Sequence, residues 1–139
     1  MMKTIYLLVA AAAVVALIIV ALQKSPAEPE VLGIPLPASR GSTELGIATL
    51  IGLENQTKVV INMSGGFSQT YIQPVHIHDG SCENLGAIKY PLNDVANGIS
   101  ATIIDVPLGQ IQKELPLAIN IHLSNDQLGV SVSCGDIVF

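Results

Sequence analysis

Residues 74–80 read PVHIHDG, and their alternating side chains predict a β-strand that ends in a turn. Side chains two positions apart in a strand point to the same face. Val75 and Ile77 therefore share one face, and His76 and His78 share the other. The Asp-Gly pair that follows is typical of a tight turn. The stretch thus indicates a strand with an aliphatic side for a core and a side that carries two imidazoles.

The chain after Ser42 continues this pattern of short apolar runs, which Gly, Asn, Asp and Pro separate. Several short strands with turn signals between them are typical of a sandwich or barrel. We therefore predict an all-β domain of seven or eight strands over residues 43–139, with one short helix over Leu108–Leu115. The runs predicted as strands are Thr43–Leu53, Lys58–Met63, Thr70–His78, Ala87–Tyr90, Ile99–Val106, Ala118–Leu123 and Val130–Cys134.

The first 24 residues are the most apolar part of the chain. Ile5–Leu22 is 18 residues long and uncharged, with Lys3 before it and Lys24 after it. As a helix it would span about 27 Å, close to the ~30 Å hydrocarbon thickness of a bilayer. An uncleaved membrane anchor is favoured, since the run exceeds the usual ~7–15 apolar residues of a signal peptide. A signal peptide that is cut near Ser25-Pro26-Ala27 is the alternative.

Residues 25–42 contain four prolines and two glycines, and this composition predicts an extended tether. In either interpretation the N-terminal segment directs residues 25–139 across a membrane. The membrane is therefore the predicted binding partner of the N-terminal helix. We therefore expect a single-pass protein of the cell membrane with its domain outside the cytoplasm, or a secreted protein if the segment is removed. The formal net charge is −5, no basic cluster occurs and no Trp is present, so binding of nucleic acid is disfavoured.

Cys82 and Cys134 are the two cysteines of the chain. Disulfides form in oxidising compartments, so two cysteines in an exported domain predict one bridge between them. Two free thiols are the alternative. The bridge would join the segment of the His pair to the segment of the third histidine.

This third histidine, His122, lies in a second strand-like run, on the face opposite Ile119 and Ile121. A His pair at positions i and i+2 and one imidazole from another strand can offer three nitrogens to one ion. Imidazole suits copper, zinc, iron and nickel. The sequence thus predicts a metal site of His76, His78 and His122. The alternative is a solvated strand face without a ligand.

Four motifs, taken in their order along the chain, resemble the copper/zinc superoxide dismutases. They are His76-Ile77-His78, Cys82, the run HLSNDQLG over residues 122–129 and the closing CGDI over residues 134–137. The run HIHDG also resembles the chordin-type (CHRD) barrel domains. The resemblance covers roughly residues 70–139 and implies a Greek-key β-barrel or sandwich of the superoxide dismutase-like type. It also implies one copper ion bound by the three histidines, and a role for Asp126 in orienting a ligand ring.

The chain departs from that family at the zinc site. No histidine lies between His78 and His122, so the bridging histidine and the zinc ligands are missing, and Ser131 stands where the family has an active-site arginine. We therefore expect copper without zinc in a membrane-tethered protein, with superoxide dismutation as the implied reaction. Superoxide, or a copper donor or acceptor, would be its partner. The alternatives are a non-catalytic CHRD-like interaction module and a copper carrier without turnover.

Overall fold

The computed structural model describes residues 28–67 and 72–139. Within these ranges the chain forms eight strands, the short helix α1 (Leu108–Lys113) and a 3-10 turn (Asn125–Gln127). The predicted all-β fold is confirmed, and each predicted run overlaps an observed strand. The strands are β1 (Val31–Leu36), β2 (Leu45–Gly52), β3 (Thr57–Gly65), β4 (Val75–Ser81), β5 (Asn84–Pro91), β6 (Ile99–Ile104), β7 (Leu117–His122) and β8 (Ser131–Asp136).

The predicted N-terminal anchor or signal segment, residues 1–24, lies outside the described residues. In the part of the chain that is described, none of the helices has the length and apolar character that a membrane crossing requires.

The strands form two four-stranded antiparallel sheets, in the orders β1-β2-β3-β6 and β5-β4-β7-β8. The chain changes sheet after β3, after β5 and after β6. As a result, β6 returns to lie beside β3, and β7 lies beside β4. The two histidine-bearing strands, which are far apart in sequence, are therefore neighbours at the centre of the second sheet.

The core lies on the inner side of this second sheet, where aliphatic side chains alternate with the outward histidines. Val75, Ile77, Ile119 and Ile121 are all fully buried. Burial of an isoleucine stabilises a fold by roughly 1.5–3 kcal/mol. A slip of one residue in the pairing would turn the histidines into the core and the isoleucines outward, so burial of the aliphatic side fixes the register.

The Pro-rich stretch 25–42 is not a tether throughout, and the structure corrects the predicted domain boundary at residue 43. Val31–Leu36 forms β1, which pairs with β2 at the edge of the first sheet. Ile34 and Leu36 alternate with Pro35 and are buried in the core. Proline and glycine are tolerated in an edge strand because one row of its backbone groups needs no partner. The alternation of Ile34 and Leu36 therefore indicates a strand more reliably than the proline content indicates a tether.

The segment that follows β1 closes the two sheets against each other along one side. The backbone N–H of Ser39 donates to the carbonyl of Val132 at 3.0 Å, and that of Cys134 donates to the carbonyl of Pro37 at 3.2 Å. Gly135 permits this approach, because a Cβ at that position would collide with the carbonyl oxygen of Pro35.

The helix α1 ends at Lys113, two residues before its predicted end at Leu115. Leu115 precedes Pro116, and the residue before a proline is disfavoured in helical conformation.

Candidate metal centre

The pairing of β4 with β7 brings the three histidines together. His76 lies directly opposite Asn120, and Ile77 lies opposite Ile119. Because side chains alternate between faces, His76, His78 and His122 all lie on the outer face of the second sheet. The predicted division between an aliphatic inner face and a histidine-bearing outer face is therefore correct.

The imidazole rings are within reach of a single ion. The ring centroids of His76 and His122 are 5.1 Å apart, and each is less than 6 Å from that of His78, at 5.7 Å and 5.8 Å. One ring nitrogen from each residue lies within 4.8 Å of the other two. Two nitrogens bound to one ion at ~2.0–2.1 Å are at most ~4 Å apart, so a pair of ring nitrogens near the 4.8 Å limit would have to move slightly closer to share an ion. The three histidines thus lie close enough to bind a metal ion.

His78 shows the hydrogen-bond pattern of a ligand. Its Nδ1 lies 3.0 Å from the carbonyl oxygen of Gly86, which can only accept, so Nδ1 carries the proton. Its Nε2 is then left with a lone pair. That atom is buried and has no hydrogen-bond partner among the described residues. An unpaired buried polar atom costs about 1–3 kcal/mol, and a bound cation would remove this cost. The donor set therefore fits a metal ion.

An irregular pairing of β4 with β5 accompanies this arrangement. The register shifts on both sides of His78, and Gly80, near the end of β4, has a φ of 91°. A bulge of this kind bends a strand and re-aims its side chains. The bulge lies beside the hydrogen bond between the His78 ring and the carbonyl oxygen of Gly86.

The environment keeps two of the rings neutral. Burial lowers the pKa of His76, and the nearby His122 and His78 lower it further, while Asp94 acts in the opposite direction. Burial also lowers the pKa of His122, against a hydrogen bond to the Leu128 backbone that favours the charged form. Neutral imidazole is the form that binds metals. The site is therefore ready to bind an ion at neutral pH.

These shifts predict that the metal-free protein loses stability as the pH falls. The pKa values of His76 and His122 lie below the ordinary 6.5 in the folded state, so the unfolded chain takes up protons first. Their contribution is complete above pH 6.5 and is lost as the pH falls from there through the folded-state pKa values. Urea unfolding in a chelator at about pH 7.5 and about pH 5.5 measures the loss.

The matched control for this experiment is the double variant His76→Gln/His122→Gln, which retains the acidic groups of the wild type. We expect the wild type to lose more stability between the two pH values than this variant. Equal losses would contradict the prediction.

Asp126, the residue predicted to orient a ligand ring, makes no hydrogen bond to the three histidines among the described residues. It is exposed in the 3-10 turn. The Leu128 backbone instead favours the charged form of the His122 ring and so acts against the lowering of its pKa. The family motif therefore does not carry over at this position as a contact.

Asn120 and Ser131 are the polar residues beside the site that the sequence did not indicate. Asn120 is 1% exposed, and its Nδ2 lies 3.3 Å from Nε2 of His122. The Ser131 hydroxyl donates to the side-chain oxygen of Asn120. The pattern of β7 could have indicated Asn120, because it lies two positions before His122 and must share its face.

The predicted disulfide between Cys82 and Cys134 is confirmed. Cys134 lies opposite Asn120 in the pairing of β7 with β8, so the bridge lies one strand away from the site. The backbone N–H of Cys82 also donates to the Asp136 carboxylate at 2.7 Å. Two contacts thus hold the end of the β4 hairpin against β8.

Three imidazole ligands on one ion would leave an open coordination position, as in catalytic metal sites. Comparison of the chain with protein-family models, with curated proteins and with solved structures finds no match.

Proposed function

We propose that this protein binds one copper ion through His76, His78 and His122, and acts outside the cytoplasm as a membrane-tethered copper protein of the superoxide dismutase-like type. The observation that carries the proposal is the convergence of three imidazole nitrogens, and it is supported by the buried Nε2 of His78, which has no hydrogen-bond partner among the described residues. When bound, copper supplies one-electron redox chemistry, and superoxide dismutation is the reaction that the family resemblance implies.

The donor set supports copper over zinc. At a given nitrogen site copper(II) binds more tightly than zinc, and the ligand cluster consists of histidine alone among the described residues. A hydrolytic zinc centre would use a nearby general base. Asp79, the acidic residue next to His78, is engaged with Lys89 at 3.2 Å, and Asp94, which acts on the pKa of His76, is exposed to solvent. Redox copper is therefore the better fit.

The strand order supports a Greek-key barrel of the superoxide dismutase-like type. The β4-β5 hairpin lies in the second sheet, and β6 returns beside β3, which is the defining connection of a Greek key. The His pair on β4, the third histidine on β7 and the disulfide to β8 occur in the order that the resemblance implies. An exported location is supported by the disulfide, since such bonds persist in oxidising compartments.

Metal analysis of the purified full-length chain in mild detergent tests the proposal. After loading with copper(II) and desalting, we expect about one copper per chain and an electron paramagnetic resonance spectrum with nitrogen hyperfine splitting. His122→Gln should retain far less copper, while Lys58→Gln, an exposed change on β3 of the other sheet, should retain as much as the wild type. A wild type without copper, or a His122→Gln variant with full copper, would overturn the proposal.

Superoxide decay separates turnover from storage. Copper-loaded wild type should accelerate the decay, and His122→Gln should not. Bound copper without acceleration would identify a copper carrier instead of a dismutase.

A second candidate function, a CHRD-like interaction module with structural histidines, is favoured by one contact. Nδ1 of His76 and Nε2 of His122 lie 3.1 Å apart, so one ring can donate to the other without an ion. In that case His76→Gln would destabilise the protein, and neither copper nor a chelator would change the stability of the wild type.

A further inference from the structure

A buried carboxamide lies beside His122, on the sheet face that carries the three histidines. Asn120 is on β7, directly opposite His76 and two positions before His122, so all three share the outer face. Its side chain is 1% exposed. A buried amide needs partners for its oxygen and for its two N–H groups. The position of those partners determines what the amide can do in this site.

The oxygen of this amide is already engaged outside the histidine cluster. The hydroxyl of Ser131 donates to Oδ1 of Asn120, and the hydroxyl of Ser39 lies 2.7 Å from that of Ser131. This pair of hydroxyl groups orients the amide, so its nitrogen is turned toward the ring of His122. Nδ2 lies 3.3 Å from Nε2 and 3.4 Å from Nδ1 of His122.

The amide nitrogen of Asn120 has no full partner in the His122 ring. Its Nδ2 is almost equally far from Nε2 and Nδ1, whereas an imidazole nitrogen accepts only along one in-plane lone pair, and Nε2 already faces Nδ1 of His76 at 3.1 Å. The buried N–H groups of Asn120 therefore need another acceptor. A small anion at the open coordination position is such an acceptor, and hydrogen bonds to charged groups are the strong ones.

We infer that Asn120 is a specificity-determining residue of this centre, whose side-chain N–H donates a hydrogen bond to a small anion bound at the open position of the metal. Ser131 is a positioning residue that holds the amide in this orientation. The inference rests on the proposed copper site and extends it to the chemical class of the ligand, a small anion with an acceptor atom next to the ion.

Azide titration of the copper-loaded full-length protein tests the inference, with the charge-transfer absorption of azide on copper(II) as the readout. Asn120→Leu is close in shape and lacks the donor. We expect it to keep its copper and to bind azide about tenfold or more weakly, the effect of one lost charge-assisted hydrogen bond. Asn62→Leu makes the same change on the exposed face of β3 in the other sheet and should leave azide binding unchanged.

Two further variants keep the test decisive if Asn120→Leu does not fold. Asn120→Asp retains the shape and replaces the donor with an acceptor, so azide should bind more weakly still. Ser131→Ala releases the amide and should produce an intermediate loss. Equal azide affinity in the wild type and these variants, with copper bound in all, would overturn this inference alone.

The remaining outcomes distinguish the inference from the proposal on which it rests. A wild type that binds no copper would overturn both. Loss of copper from a folded Asn120→Leu variant would assign Asn120 as a ligand of the ion, which would overturn its role as a donor to the anion and leave the copper site standing.

Discussion

Replacement of Cys82 and Cys134 by serine is expected to lower the free energy of unfolding by about 4 kcal/mol. The bridge joins residues that are 52 positions apart. A cross-link of that span restricts the unfolded chain, and its loss returns this entropy to the unfolded state. For a domain whose net stability is about 5–15 kcal/mol, this is a large share.

Urea unfolding of the oxidised wild type and of the Cys82→Ser/Cys134→Ser variant measures the effect. The wild type under a strong reductant is the matched control, because it loses the bridge without a change of side chain, and it should unfold with the variant. A variant that stays within about 1 kcal/mol of the oxidised protein would show that native contacts alone already hold the β4 hairpin to β8.

Copper is expected to raise the free energy of unfolding of the wild type by about 4 kcal/mol when free copper is about a thousandfold above its Kd. The reason is that the three ligand nitrogens converge only in the folded chain, in which β4 and β7 are paired. The gain should disappear in His122→Gln, because this variant offers only the pair on β4.

Thermal unfolding with and without copper, for both proteins, measures this second effect. Without metal, the wild type and His122→Gln should have unfolding temperatures within a few degrees of each other. This comparison is the control that His122→Gln still folds. Zinc at the same concentration should stabilise the wild type less than copper, since copper(II) binds nitrogen donors more tightly. Equal stabilisation of wild type and His122→Gln by copper would place the ion elsewhere on the protein.

The centre of the second sheet could be predicted from the sequence because two physical signals agree there. Alternation in β4 and β7 assigns the isoleucines to the core and the histidines to the outer face. The two cysteines then point to a bridge between the same regions. Because the aliphatic side chains must be buried, they fix which side of each strand faces the core and which side carries the histidines.

The first strand and the polar residues beside the histidines could not be predicted in the same way. The proline and glycine content of residues 25–42 predicted a tether, although Ile34 and Leu36 alternate as in a strand. Proline is compatible with a strand at the edge of a sheet, and only the pairing with β2 shows that β1 is such a strand. The place of Ser131 depends on a register shift between Ile121 and His122 in the pairing with β8. The role of Asp126 was predicted from a family motif, and a motif does not reveal that this residue is exposed in a 3-10 turn.

The closure of the two sheets by residues 31–39 has a practical consequence for recombinant work. A shortened gene product that began at residue 43 would lack β1, the hydrogen bond that the Ser39 N–H donates to Val132, and the Pro37 carbonyl that accepts from Cys134. The edges of β2 and β8 would then present free backbone groups, which recruit further chains. Insoluble protein from such a truncation would result from the unpaired edges of β2 and β8. It would not show that the histidine cluster is needed for folding.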